Sequence, residues 1–92
     1  MLETLKTALL GHQVKLTRKG ANGNKLHIMK GICSDIQPHP GIHDHYSIAV
    51  MGDDFTKTVL LKAEVITDKS VDGQVHNSNG ERCKVEYLRR AA

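Results

Sequence analysis

Alternation of apolar and polar residues on both sides of a glycine- and asparagine-rich turn is the feature that most constrains this chain. In HQVKLTRK, Val14 and Leu16 alternate with polar side chains, the period-two pattern of a half-buried strand. The turn GANGN follows, and the main apolar residues of KLHIMKGICSDI then share one parity. Two such runs around residues that tolerate positive φ predict a β-hairpin, and Gly31 predicts a bulge or bend in its second strand.

Further short elements are predicted around this hairpin. The segment LETLKTALLG has leucines at helical spacing and ends in glycine, which predicts a short N-terminal helix. After the loop QPHPG, the runs YSIAVMG, TKTVLLK and AEVITDK predict three more strands, five in total. The more polar remainder is either a flexible tail or, as the alternation in ERCKVEYL favours, an extra hairpin. We therefore expect a barrel domain at 1–69 and a C-terminal extension at 70–92.

Composition limits both the core and the cellular compartment. A chain of 92 residues with 39% apolar residues, no Trp, one Phe and two Tyr predicts one domain with a thin aliphatic core. The two cysteines lie far apart, and neither a signal segment nor a membrane-spanning run is evident, so we expect a soluble cytoplasmic protein without membrane contacts. The predicted core comprises Leu5, Leu9, Val14, Leu16, Leu26, Ile28, Ile32, Ile48, Val50, Val59, Leu61 and Val65.

The succession of these elements resembles the Sm-like (Lsm/Hfq-like) family over residues 2–69. The resemblance lies in the helix ending ALLGHQVKL, the glycine-containing strand KGICSDI, the third strand YSIAVMGDD, and TVLLKAEVI as a fourth strand turning into a fifth. The chain is also similar to the Rof family of Rho-binding antitermination proteins. Both resemblances imply a mainly β fold, a five-stranded, bent antiparallel SH3-like barrel with an N-terminal α-helix, to which we add the C-terminal β-hairpin.

The Sm-like resemblance further implies RNA binding and a homo-oligomer assembled through strand edges. Hfq-like proteins contact uridines with a Lys-His pair, which Ala63 and Glu64 replace here, so that site is absent. Tyr46 corresponds to their base-stacking aromatic residue. A Rof-like module that recognises a protein partner through an exposed strand edge is the alternative.

A net charge of +3 and a pI near 9.0 are compatible with binding to an anionic partner, but also with surface charges that only keep the protein soluble. The basic first hairpin favours phosphate contacts, although exposed strand positions are also charged to discourage edge pairing. We therefore predict a non-catalytic module for nucleic acid, with RNA as the first candidate. The predicted binding residues are Lys15, Arg18, Lys19, Lys25, Tyr46 and Lys62.

The loop DIQPHPGIHDHY holds three of the six histidines. His43 and His45 are two residues apart and would point the same way in an extended segment, so with His39 or Asp35 they could ligate Zn²⁺ or Ni²⁺. A solvated loop is the competing interpretation. No nucleophile lies beside a sequence-local base and no glycine-rich phosphate loop occurs, so we expect neither an enzyme nor a cofactor.

Overall fold

The computed structural model describes residues 2–76 and 78–90, except for the side chains of Lys25 and Leu26. These residues form α1 (Leu2–Leu9), β1 (His12–Lys19), β2 (Lys25–Pro38), β3 (His45–Met51), β4 (Thr56–Ile66), β5 (Ser70–Val75) and β6 (Arg82–Arg90). Each strand pairs antiparallel with a neighbour on both sides, and pairing of β1 with β6 closes a barrel. The fold is mainly β, as predicted, but the barrel has six strands rather than five. In the described part, no helix is long and apolar enough to cross a bilayer.

The strand count differs because β4 is one long strand. The predicted fourth and fifth strands are continuous within it, with a register shift between Ala63 and Val65. The extra residue at this bulge, Glu64, reverses the side on which the following residues lie. Val65 is therefore 55% exposed, which corrects its predicted place in the core, while Ile66 packs against the core. The predicted C-terminal hairpin supplies β5 and β6.

The core fills the barrel and includes one side of α1. The predicted core residues on α1, β1, β3 and β4 up to the bulge are buried: Leu5, Leu9, Val14, Leu16, Ile48, Val50, Val59 and Leu61. The remaining members come from β2, the start of β3 and the C-terminal hairpin: Met29, Cys33, Ile36, Tyr46, Val71, Val75, Cys83 and Val85. The segment from residue 70 therefore contributes directly to the core.

Along much of β2, the residues that face the core are the odd-numbered ones, whereas the sequence pattern predicted the even-numbered ones. Met29 and Cys33 are buried, whereas Ile28 is 44% exposed and Ile32 is only half-buried. The reason is the pairing with β1, in which Leu16 lies opposite Met29, so the odd-numbered residues face the core. The prediction for Leu26 concerns a side chain outside the described residues.

The glycine of β2 marks a close approach to β3. A Cβ on Gly31 would lie 2.5 Å from the carbonyl oxygen of Met51, so only glycine fits there without movement of the backbone. The irregularity in the β2–β3 register falls further along, between Cys33 and Asp35. Beyond it the parity reverses, and Ile36 faces the core.

Candidate nucleic-acid interface

The outer side of β6, β1 and β2 carries a group of cations, which we call the cationic face. Because Val14 and Leu16 of β1 face inward, the alternate residues face outward. Cross-strand pairing then places cations from three strands side by side, since Lys15 lies opposite Lys30 of β2 and Lys19 lies opposite Arg82 of β6. The face comprises Lys15, Lys19, Lys30, Arg82 and Lys84.

Two lysines of this face are direct cross-strand partners. Residues directly opposite each other on neighbouring antiparallel strands have Cβ atoms about 4.5–5.5 Å apart, and like charges in that position repel. Among the described residues, neither Lys15 nor Lys30 has a carboxylate within 4.0 Å. Glu86 of β6 lies opposite Lys15 but forms no ion pair with it, so it weakens the repulsion between the two lysines without removing it. An anion bound over the two ammonium groups would relieve it.

Arg82 is the one member of the cationic face with ion-pair partners among the described side chains. Its Nη2 lies 2.7 Å from Oε1 of Glu64 and 3.5 Å from Oδ1 of Asp72. The hydrogen bond to Glu64 is the main cause that raises the pKa of Arg82. Its charge is therefore partly neutralised within the protein, and the lysines are the cations left for a ligand.

A cleft of about 390 Å³ runs along part of the cationic face. The first hairpin turn forms one wall, and the outer sides of β1 and β6 form the other. Its lining includes three of the lysines together with Asp72 and Glu86. The cleft is thus mixed in charge, and an anionic ligand would lie towards its lysine side.

The structure places two of the predicted binding residues, Lys15 and Lys19, on the cationic face. Arg18 lies between the outward-facing positions, and its Nε donates to Oε1 of Glu81 over 2.5 Å. The two side chains are 28% and 18% exposed. The guanidinium of Arg18 is therefore engaged inside the protein rather than available to a phosphate.

Tyr46 is in the core. It shares the inward parity of Ile48 and Val50 and is only 8% exposed, so its ring cannot stack a base in this structure. Lys62 faces outward on β4, where its cross-strand neighbours are His45 of β3 and Gln74 of β5. The strand β5 therefore lies between Lys62 and the cationic face. The prediction for Lys25 lies outside the described side chains.

Sequence reasoning did not assign Lys30, Arg82 and Lys84 to the site. A signal existed, because the alternation of Cys83 and Val85 as inward residues leaves Arg82 and Lys84 outward. What the sequence lacks is any indication that β6 pairs with β1, which is the contact that joins them to Lys15 and Lys19.

The histidine loop does not bring its own three histidines together. The ring of His45 packs edge-on against His76 at 5.0 Å, and the ring of His39 lies 6.3 Å from the same residue. His43 contributes only its carbonyl oxygen, to which Nδ1 of His45 donates over 2.7 Å. No group of three His, Cys, Asp or Glu side chains in residues 2–76 and 78–90 could hold a metal ion.

Both cysteine thiols are buried and free. Burial is the main cause that raises the pKa of Cys33 to about 11 and that of Cys83 to about 12. The thiolate is the reactive form of cysteine, and these values leave very little of it near neutral pH. The two thiols therefore act as small apolar side chains of the core.

The strand edges predicted to mediate assembly are occupied within the chain. In the described part, every strand has a partner on each side, although β2 pairs with β1 only up to Ile32 and with β3 only from Ile32 onwards, and β4 pairs with β5 only from Leu61. Recognition of a protein partner through a strand edge, as in the Rof-like prediction, would be restricted to the stretches of β2 and β4 that pair on one side only.

The chain was compared with protein-family models, with curated proteins and with solved structures, and none of them matches it. The small closed antiparallel barrel is compatible with the predicted kind of fold. Membership of the Sm-like or Rof family stays a prediction based on sequence patterns alone.

Proposed function

We propose that this protein is a non-catalytic module that binds nucleic acid, RNA first of all, through its cationic face. The observation that carries the proposal is the Lys15–Lys30 cross-strand pair, flanked by Lys19 and Lys84 and without an ion-pair partner among the described residues. Opposed like charges cost stability in the free protein, and phosphates bound over them would offset that cost. A row of phosphates matches cations distributed over neighbouring strands.

The mode of binding follows from where the aromatic residues lie. Tyr46 is in the core, and the half-buried Tyr87 packs against His12 with ring centroids 5.2 Å apart. Phe55 lies in the β3–β4 turn, outside the cationic face, although it lines one cavity together with Lys30 and Leu88. Because the cationic face itself has no Phe or Tyr among its described residues, it offers mainly phosphate contacts. We therefore expect binding that depends strongly on salt and weakly on base sequence.

The preference for RNA over DNA rests on the Sm-like resemblance. That resemblance does not carry over the uridine-contacting pair, because Ala63 and Glu64 stand in its place and Glu64 pairs with Arg82. The proposal thus rests on the lysines of the cationic face rather than on a counterpart of that pair.

Fluorescence anisotropy with a labelled single-stranded RNA tests the proposal at several salt concentrations. Replacing Lys15→Gln and Lys30→Gln together should weaken binding at low salt. It should also reduce the slope of log affinity against log salt by about 0.7 for each phosphate that the variant no longer neutralises. DNA of the same sequence, run in parallel, measures the preference for RNA.

The matched control removes two charges elsewhere, with Lys57→Gln and Lys69→Gln, which are exposed residues of β4 and the β4–β5 turn. It should lower affinity much less than the variant of the cationic face. Lys62→Gln separately measures the contribution of the predicted residue on β4. If wild type shows no affinity at low salt, or if the two double variants weaken binding equally, the assignment of this face is wrong.

A further inference from the structure

An apolar groove lies next to the cationic face, on the outer side of the barrel. We define it by Ile32, Met51, Phe55 and Leu88. Three of these side chains are large and exposed, with Met51 at 45%, Leu88 at 42% and Phe55 at 38%. Together with backbone of β1 and β2 they line a depression of about 500 Å³. Exposed apolar side chains gathered in one place are typical of an interaction surface.

The strand pairing explains why these side chains meet. Ile32 of β2 lies directly opposite Met51 of β3 on the outer side of the barrel. The β1–β6 register shifts between Gln13 and Val14, which leaves Leu88 as the unpaired residue of a bulge beside them. A bulge of this kind redirects a side chain without breaking the sheet.

Two glycines shape the groove and fix its aromatic member. Gly31 leaves bare backbone in the floor, because a Cβ there would meet Met51. Gly52 lets the ring of Phe55 pack on its backbone, since a Cβ at Gly52 would collide with that ring. The N–H of Gly52 also donates to the carbonyl of Phe55 over 2.9 Å. Phe55 is thus held in place before any partner arrives, which lowers the entropy cost of binding.

The lining of the groove carries charges of both signs, which come from different elements. Lys30 comes from β2, and Asp53 and Asp54 come from the β3–β4 turn beside Phe55. None of the three belongs to an ion pair among the described residues. A ligand complementary to this lining therefore has an apolar centre, an acidic group that pairs with Lys30 and a basic group that pairs with the aspartates.

We propose that the apolar groove is a two-fold interface in which a second copy of this chain docks. A two-fold axis brings the same patch of both copies together, so each residue meets its complement on the other subunit. Here Lys30 of each copy would face Asp53 and Asp54 of the other, and Phe55 and Leu88 would pack across the apolar centre. The groove is self-complementary in both charge and hydrophobicity, which favours a second copy over an unrelated protein.

This interface does not depend on nucleic acid. It uses side chains of the groove rather than the backbone of a strand edge. Because Lys30 belongs to both surfaces, its ammonium group would bind either a phosphate or the aspartates of the second copy, so dimerisation and RNA would compete for this one residue. The dimer is therefore tested with the protein alone, so that loss of RNA binding and loss of dimerisation are separate results.

Sedimentation equilibrium over micromolar to millimolar protein concentrations measures the dimer. Wild type should shift from monomer to dimer as the concentration rises. Met51→Lys or Leu88→Lys should raise the dimer dissociation constant by at least about tenfold, because each places a charge at the apolar centre. Both residues are exposed, so the variants should keep the far-ultraviolet circular dichroism and thermal stability of wild type.

Val65→Lys is the matched control, since Val65 is an exposed apolar residue at 55% and lies on β4, outside the groove. It should leave the dissociation constant unchanged. A charge exchange adds a second test, in which Lys30→Asp weakens the dimer and the further changes Asp53→Lys and Asp54→Lys restore it. A wild-type protein that stays monomeric at every concentration would overturn the proposal, as would equal effects of Val65→Lys and Leu88→Lys.

Discussion

The inner and outer sides of β1 differ in how far the rest of the molecule constrains them. On the inner side, Val14 and Leu16 are fully buried and contact residues from other elements in a single cluster. On the outer side, Lys15 lies opposite Lys30 of β2, and these two like charges lower stability but would attract an external anion. One strand therefore has a side that specifies the fold and a side that is free to bind a ligand.

The largest effect should come from the inner side. Leu16→Ala should lower the free energy of unfolding by about 2–5 kcal/mol, because it removes a fully buried side chain and leaves a cavity. Chemical denaturation followed by circular dichroism measures the change. Lys15→Ala is the matched control on the neighbouring outward position and should cost far less. Similar losses from the two variants would mean that the inner and outer sides of β1 are wrongly assigned.

A much smaller effect, of opposite sign, is expected from the outer side. The variant with Lys15→Gln and Lys30→Gln should change the free energy of unfolding by no more than about 0.5 kcal/mol, and at low salt it should stabilise the protein. The reason is that the substitution removes the repulsion between the opposed ammonium groups. The gain should disappear at high salt, where that repulsion is screened. A loss of stability at low salt would show that the lysines support the fold instead.

The reactivity of the two buried thiols tests the inner side of the barrel without any substitution. The rise in the pKa of Cys33 from 9.0 to about 11 lowers its thiolate population at pH 8 by about a hundredfold. Both thiols should therefore react slowly with a thiol-specific reagent in the folded protein and rapidly in denaturant. Because folding raises these pKa values, stability should also fall as the pH rises above about 9. Rapid labelling of the native protein would show that the barrel interior is open to solvent.

Alternation predicted the strands well where pairing is regular and failed where a bulge intervenes. The inward residues of β1 and β3 follow directly from period two. In β4 the extra residue Glu64 reverses the parity, and nothing in TVLLKAEVI distinguishes a bulge from a turn. The polar segment SVDGQV gave little sign of a core strand, although Val71 is fully buried there.

The candidate site was only partly predictable, for a related reason. Alternation alone could have placed Tyr46 inward, since it shares the parity of Ile48, but the family resemblance assigned it a surface role. The neighbours of Lys15, by contrast, depend on which strands pair, and pairing between β1 and β6 spans nearly the whole chain. Local patterns carry no information about such distant contacts.

The β1–β6 contact also has a consequence for the order of events during protein synthesis. β1 is made soon after α1, but its partner β6 is the last of the six barrel strands to leave the ribosome, so one side of β1 stays unpaired until then. The nascent chain therefore exposes the edges that the finished barrel has closed, for as long as translation of the intervening strands lasts. A chain shortened before Arg82 would keep both edges open, on β1 and on β5, and should aggregate where the chain with all six strands does not.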